Sequence, residues 1–320
     1  DSSLRLVGSE MCIRDSPRLA FIVGGHEHEP AYKPPNAQSA AVMKGASNAR
    51  VIWQVDVTFD ETGAPIVYGQ QLEMTETIET DADYAVIDKK WRSRLLELYP
   101  FLESSIGRAA LPLDATEQTI RNNETSWGNF IADQMRGAFG DPPADLAFIN
   151  SGTLRIDDFI ADDILFEDIA RTFGFSSYLR YMPITGAEFR KLLEAGYRGE
   201  GPSKGHFPQV SGFRVCVDRS RNSLDRIVSL QVTGASGWQE IGAEREYLLV
   251  IPDYLFGGGD GYAVPEHRKP AASRPGSELK YLVLDAIVRA QAEGRAIGER
   301  VNPANPRYVE IGPDRNACWQ

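Results

Sequence analysis

His26 and His28 stand two residues apart in FIVGGHEHEP, residues 21 to 30, after an apolar run and a glycine pair that read as a strand ending in a loop. Two imidazoles at i and i+2 can project toward one point, and Gly24 and Gly25 let the backbone come close to an ion. The same spacing suits a polar turn whose rings face water, so both readings stand. A second glycine-rich stretch, FGGGDGY (256–262), lacks the GxxxxGK[ST] spacing of a Walker loop. Its glycines instead turn a corner after the apolar run EYLLVIP, with Asp260 either held toward a pocket or capping its own turn. Ser126, Ser151 and Ser211 lack the His and Asp pattern of a nucleophile elbow, which disfavours a serine hydrolase. His206 and His267 sit beside turn residues and are expected to be solvated, with no role.

The elements that position these residues follow from periodicity. Val51, Trp53, Val55, Val57 and Phe59 alternate with mostly polar neighbours, DETG turns the chain, and PIVYGQQLE returns. That is a hairpin with one face buried, expected to lie in the same sheet as the strand before the histidines. Residues 81 to 104 turn charged and helical, with Tyr84, Ile87, Trp91, Leu95 and Leu98 at spacings of three and four. Four further helices are legible around Trp127–Met135, Phe166–Phe173, Phe189–Tyr197 and Leu279–Ala290, the last with Ser277 as N-cap and Gly294 past its end. Between them lie the strands DLAFIN, SGFRVCVD, RIVSLQVT and EYLLVIP. Strands and helices mix without strict alternation, so the fold class is α+β rather than doubly wound.

Composition narrows the function classes. The 320 residues are 42% hydrophobic and 25% charged, as in ordinary folded proteins, and no apolar stretch approaches the roughly 20 residues a membrane span needs. A net charge of -11 argues against wrapping a nucleic-acid polymer, while small anions need only a local cluster of arginines. Cys12, Cys216 and Cys318 are too few and scattered for a disulfide framework or a zinc knuckle. Residues 1 to 16, DSSLRLVGSEMCIRDS, have neither an initiator Met nor signal-peptide order. They resemble a translated sequencing-adaptor run and are set aside as a non-native leader.

Five segments in order, RNNETSWGNFIADQMR, DLAFINSGTLR, LFEDIARTFGFSSYLRYMPITGAEFRKLLE, FPQVSGFRV and IPDYLFGGGDGY, resemble the C-terminal domain of the 5'-nucleotidase family. GGHEH resembles the GHxH signature of calcineurin-like metallophosphoesterases, a four-layer αββα fold. The resemblance implies the trailing strands of such a domain at 17–80, a linker helix at 81–104, a substrate-binding domain at 105–312 and a tail at 313–320. It also implies two divalent metal ions, one on His26 and one on His28. The family's other ligand motifs, DxH, GDxxD and GNH[DE], do not occur in residues 1 to 25 or elsewhere. The expectation is therefore a chain that lacks the N-terminal half of the catalytic domain and is inactive by itself.

A nucleoside monophosphate needs cationic or neutral donors for phosphate, a π-surface for the base and an acceptor for the ribose hydroxyls. By the resemblance, Arg121, Asn150 and Arg155 face the substrate and its phosphate, Phe175 and Tyr254 sandwich the base, and Asp260 takes the ribose hydroxyls. Tyr254 departs from the more usual Phe, and its hydroxyl is expected to add a polar contact that alters base preference. The implied activity is hydrolysis of nucleoside monophosphates in the periplasm or outside the cell. The alternatives are a nucleotide-binding module without hydrolysis, or a phosphoesterase for cyclic nucleotides or UDP-sugars.

Overall fold

A computed structural model describes residues 19–26, 28–36, 39–199, 204–234, 237–272, 275–312 and 317–319, which fall into two units divided after Leu95. The leader read at 1 to 16 lies outside the described residues.

In the first unit β1 (Phe21–Gly24), β2 (Ala31–Lys33) and β3 (Ala41–Lys44) form a sheet in the order β1-β3-β2, with β1 and β3 parallel. The hairpin is present as β4 (Val51–Phe59) and β5 (Pro65–Glu73). Its turn is set by the Asp60 carboxylate, which accepts from the Thr62 and Ala64 amides at 2.8 and 2.9 Å, and by Gly63 at φ 82°. Contrary to expectation, β4 and β5 make a separate two-stranded sheet. The chain between β3 and β4 passes through Asn48 and Ala49 at φ 53° and 55°, a left-handed turn that a continuing ladder does not accommodate. Val51, Trp53 and Val55 are half-buried, but Val57 and Phe59 are exposed, so only the inner half of the hairpin has a covered face.

Helix α1 (Ala82–Leu98) starts where the Asp81 carboxylate accepts from the Tyr84 amide at 2.9 Å. It stops well short of residue 104 because Pro100 disfavours helical backbone at Tyr99.

The second unit contains β6 (Ser105–Arg108), β7 (Leu113–Asp114), α2 (Glu117–Ile120), α3 (Ser126–Gly137), β8 (Leu146–Asn150), β9 (Phe159–Ile160), β10 (Asp163–Leu165) and α4 (Phe166–Thr172). It continues through β11 (Leu179–Thr185), α5 (Gly186–Leu193), β12 (Pro208–Ser211), β13 (Phe213–Asp218), β14 (Ile227–Gly234) and β15 (Gly237–Glu240). It ends with β16 (Glu246–Pro252), α6 (Asp253–Phe256), α7 (Leu279–Ala292) and β17 (Tyr308–Ile311). Strands and helices are mixed, and the class is α+β.

A four-stranded sheet, β11-β16-β8-β12, runs through the middle of this unit. All five residues of β8 are buried, because the sheet is covered on both faces. Leu146 and Phe148 point into one core with Phe189, Phe213 and Leu230, from α5 and the second sheet β15-β14-β13-β17. Ala147 and Ile149 point into the other core with Trp127, Ile131 and Met135 of α3 and Val283 and Ile287 of α7. Each fully buried large side chain of this kind contributes about 1.5–3 kcal/mol.

Helix α7 begins one residue later than a Ser277 cap implies, with Glu278 at the cap position. The carbonyl of Ser277 instead accepts from the Leu179 amide at 3.2 Å, beside the edge of β11. Gly294, at φ 69°, follows the helix end as expected. One disulfide, Cys216–Cys318, closes 102 residues of chain and ties the C-terminal segment to β13.

Candidate functional site

Strand directions gather the candidate residues at one end of the central sheet. β8 and β16 are parallel, so Asn150 and Pro252 finish at the same end. β11 is antiparallel to β16 and starts there, with Leu179 opposite Pro252. β12 is antiparallel to β8 and also starts there, with Pro208 opposite Asn150. The segments just beyond these four ends carry Ser151 to Arg155, Tyr254 to Asp260, Phe175 and the loop of Lys204 to His206.

Asn150 is buried, and both ends of its amide are engaged. Its Oδ1 accepts from Thr153 Oγ1 at 2.7 Å, and its Nδ2 donates to Asp260 Oδ2 at 2.7 Å. The other carboxylate oxygen of Asp260 accepts from the Tyr254 hydroxyl at 3.0 Å. Asp260 itself has φ 51°, between Gly258 at 96° and Gly261 at 70°. The glycine-rich corner therefore curls around the Tyr254 ring. A Cβ on Gly259 would lie 2.5 Å from that ring, so only glycine lets the loop lie flat on it.

Arg155 stacks its guanidinium over the Phe175 ring, 5.3 Å from the centroid, and makes no ion pair among the described residues. Phe175 is 58% exposed and Tyr254 51% exposed, which rules out simple core packing for either ring. Arg121 is buried and pairs with Glu117 across one helical turn at 2.6 Å. Burial lowers its pKa, and the positive charge of Arg155 adds to that, while Glu117 opposes it. The Arg121 guanidinium also lies beside Gly205, whose backbone packs on Gly152. All six substrate-facing candidates thus belong to one neighbourhood.

Several contributors were not singled out by the sequence. Gln209 on β12 is buried and holds the segment leading out of α2, donating to the carbonyls of Ile120 and Asn123 at 2.8 and 2.7 Å and accepting from the Thr125 amide at 3.2 Å. Gly128 makes room for it, since a Cβ there would meet the Gln209 amide at 2.1 Å. Arg198 packs its guanidinium on Gly261, beside Asp260. His206, expected to be solvated, donates from Nε2 to the Arg198 carbonyl at 2.7 Å, and burial lowers its pKa. Only the pattern of glycines facing these side chains could have pointed to them. His267 is 68% exposed, with Glu188 at 2.7 Å.

A cleft of about 530 Å³ lies elsewhere, between α3 and residues 295–307. Part of its charge is engaged in structure: Arg307 grips both oxygens of Asp133 at 2.8 Å, and Glu124 accepts from the Arg307 amide. We assign it no ligand.

In the first unit His26 and His28 adopt φ 81° and 66°, left-handed conformations that fit a loop around an ion and a tight polar turn equally. Among the described residues no three His, Cys, Asp or Glu side chains gather as a metal site. Two imidazoles do not make up the donor set of a divalent centre, so no chemical step is routed through metal.

The family model of the 5'-nucleotidase, C-terminal domain matches residues 105–267. The 5'-nucleotidase of Bos taurus is 25% identical over 280 residues, covering 78% of this chain and 48% of its own length. A 5'-nucleotidase-related protein of Glossina morsitans morsitans is 27% identical over 284 residues, covering 78% and 50%. The chain thus spans about half the length of these relatives. The crystal structure of a 5'-nucleotidase precursor from Thermus thermophilus superposes with a TM-score of 0.75 at 21% identity, over 91% of this chain and 58% of that one.

Proposed function

Because the chain belongs to the 5'-nucleotidase C-terminal domain family, we propose that its second unit holds the nucleotide for a 5'-nucleotidase-type hydrolase acting on nucleoside monophosphates. The observation that carries this reading is the convergence of two arginines, two half-exposed aromatic rings and a fixed carboxylate at one end of a single sheet. Arg121 and Arg155 supply the charge-assisted donors for a phosphate. Phe175 and Tyr254 supply π-surfaces for a base, each worth on the order of 1–3 kcal/mol and tolerant of base identity. Asp260 supplies the acceptor for sugar hydroxyls.

These residues bind and orient, and none activates a water. His26 and His28 are the candidates on this chain for holding one divalent ion each, but the donor set they offer is incomplete. We propose that the 320-residue chain by itself binds nucleotide without appreciable hydrolysis. The disulfide favours an oxidising setting, periplasmic or secreted, since such bonds persist there.

Calorimetric titration of the chain with AMP and adenosine tests the binding reading. Arg155→Ala is expected to weaken AMP by roughly tenfold or more and adenosine far less, as for loss of a hydrogen bond to a charged group. Phe175→Ala is expected to weaken both. Absence of binding to either ligand, or indifference to both substitutions, overturns the reading. Product analysis with divalent metal present, for adenosine and phosphate from AMP, a nucleoside monophosphate from a cyclic nucleotide, and UMP and sugar phosphate from a UDP-sugar, tests the prediction of inactivity and, if activity appears, identifies the ester.

A further inference from the structure

We infer that the Tyr254 hydroxyl is a positioning group for Asp260 and makes this site selective for the sugar rather than for the base. The inference rests on the nucleotide reading of the site and adds to it a residue that acts through the carboxylate.

A ring hydroxyl on a base-stacking residue would affect base choice if it pointed along the base plane into the ligand space. Here it is turned back into the protein. It donates to Asp260 Oδ1 at 3.0 Å and receives the Asp260 amide at 3.3 Å, which closes a small ring between the side chain and the loop. Asn150 fixes the other oxygen, and Thr153 fixes Asn150. Each carboxylate oxygen thus has one protein donor and keeps acceptor capacity for another. The loop conformation needs this support, because Asp260 is a non-glycine residue in left-handed backbone between two left-handed glycines. Phenylalanine at 254 would keep the ring on Gly259 and lose both contacts, leaving Asp260 oriented by Asn150 alone.

The consequence for ligands is specific. A carboxylate held at both oxygens presents its remaining lone pairs in fixed directions, which suits a pair of vicinal hydroxyls on a ribose. Removing one anchor costs affinity in proportion to the hydroxyls the ligand offers. A base-directed hydroxyl would instead change affinity with the base and ignore the sugar.

Tyr254→Phe in the full chain tests this by two routes. With adenosine and 2',3'-dideoxyadenosine as probes in calorimetry, the substitution is expected to weaken adenosine about fivefold to tenfold and the dideoxy compound less than twofold. Asp260→Asn should weaken adenosine as well, and adding Tyr254→Phe to it should cost little more. Equal losses for the two nucleosides, or additive effects of the two substitutions, overturn the inference. The second route needs no ligand. The ultraviolet difference titration of wild type against Tyr254→Phe isolates the Tyr254 phenol, which Asp260→Asn should shift down if the carboxylate is its acceptor. An unmoved phenol overturns the inference whatever binds. A shifted phenol in a chain that binds neither nucleoside upholds the anchor and overturns only the nucleotide reading.

Discussion

His206 shows how a residue with no evident role becomes informative once its surroundings are known. Burial disfavours its imidazolium, so it is held neutral with its Nε2 hydrogen on the Arg198 carbonyl. Its folded pKa lies below the ordinary value of 6.5, so the unfolded chain binds more protons in the window between the two values. Stability from this group is fully present above about 6.5 and is lost as pH falls through the folded pKa. Thermal melts from pH 8 to 5 should therefore show a steeper acid loss for wild type than for His206→Gln. Parallel profiles would refute the assignment. Residue types alone held no hint of this, because the partner is a backbone carbonyl eight residues away. Tyr254 was visible as an aromatic in a motif, yet the direction of its hydroxyl depends on a left-handed Asp260 that no residue pattern encodes.

Among the elements, legibility follows periodicity. The helices around Trp127, Phe166, Phe189 and Leu279 and the strands DLAFIN and EYLLVIP stand where their apolar spacing put them, because each buries a face with a fixed repeat. What periodicity cannot encode is which elements share a sheet. The hairpin β4–β5 has the right alternation and turn but the wrong assignment, since a left-handed pair at Asn48 and Ala49 separates it from β3. Gln209 is the clearest case of an element held by a polar side chain. It joins β12 to the stretch between α2 and α3 through three backbone groups. Gln209→Ala leaves those groups without their partner in a buried place, and we expect a loss of about 3 kcal/mol or more by chemical denaturation, at about 1–3 kcal/mol for each of the three buried groups left unsatisfied. Because Arg121 rides on this stretch, AMP affinity should fall with it. A variant as stable as wild type would show that the contacts are dispensable.

For the whole molecule, the covalent tie between Cys216 and Cys318 closes a loop of 102 residues, and constraining so long a loop in the unfolded chain is worth about 2–4 kcal/mol. Reduction should lower the melting temperature of the second unit by about 5–15 °C at two to four degrees per kcal/mol. An unchanged melt after verified reduction would contradict the predicted stabilisation. The convergence of strand ends has a different consequence. Residues from Arg121 to Asp260 reach the site only when β8, β11, β12 and β16 are all paired. Occupancy is therefore thermodynamically linked to folding of the unit as a whole, and a ligand at one hundred times its Kd raises stability by about 2.7 kcal/mol. Candidate nucleotides can consequently be ranked by the melting shift they produce, a measurement that needs neither turnover nor metal.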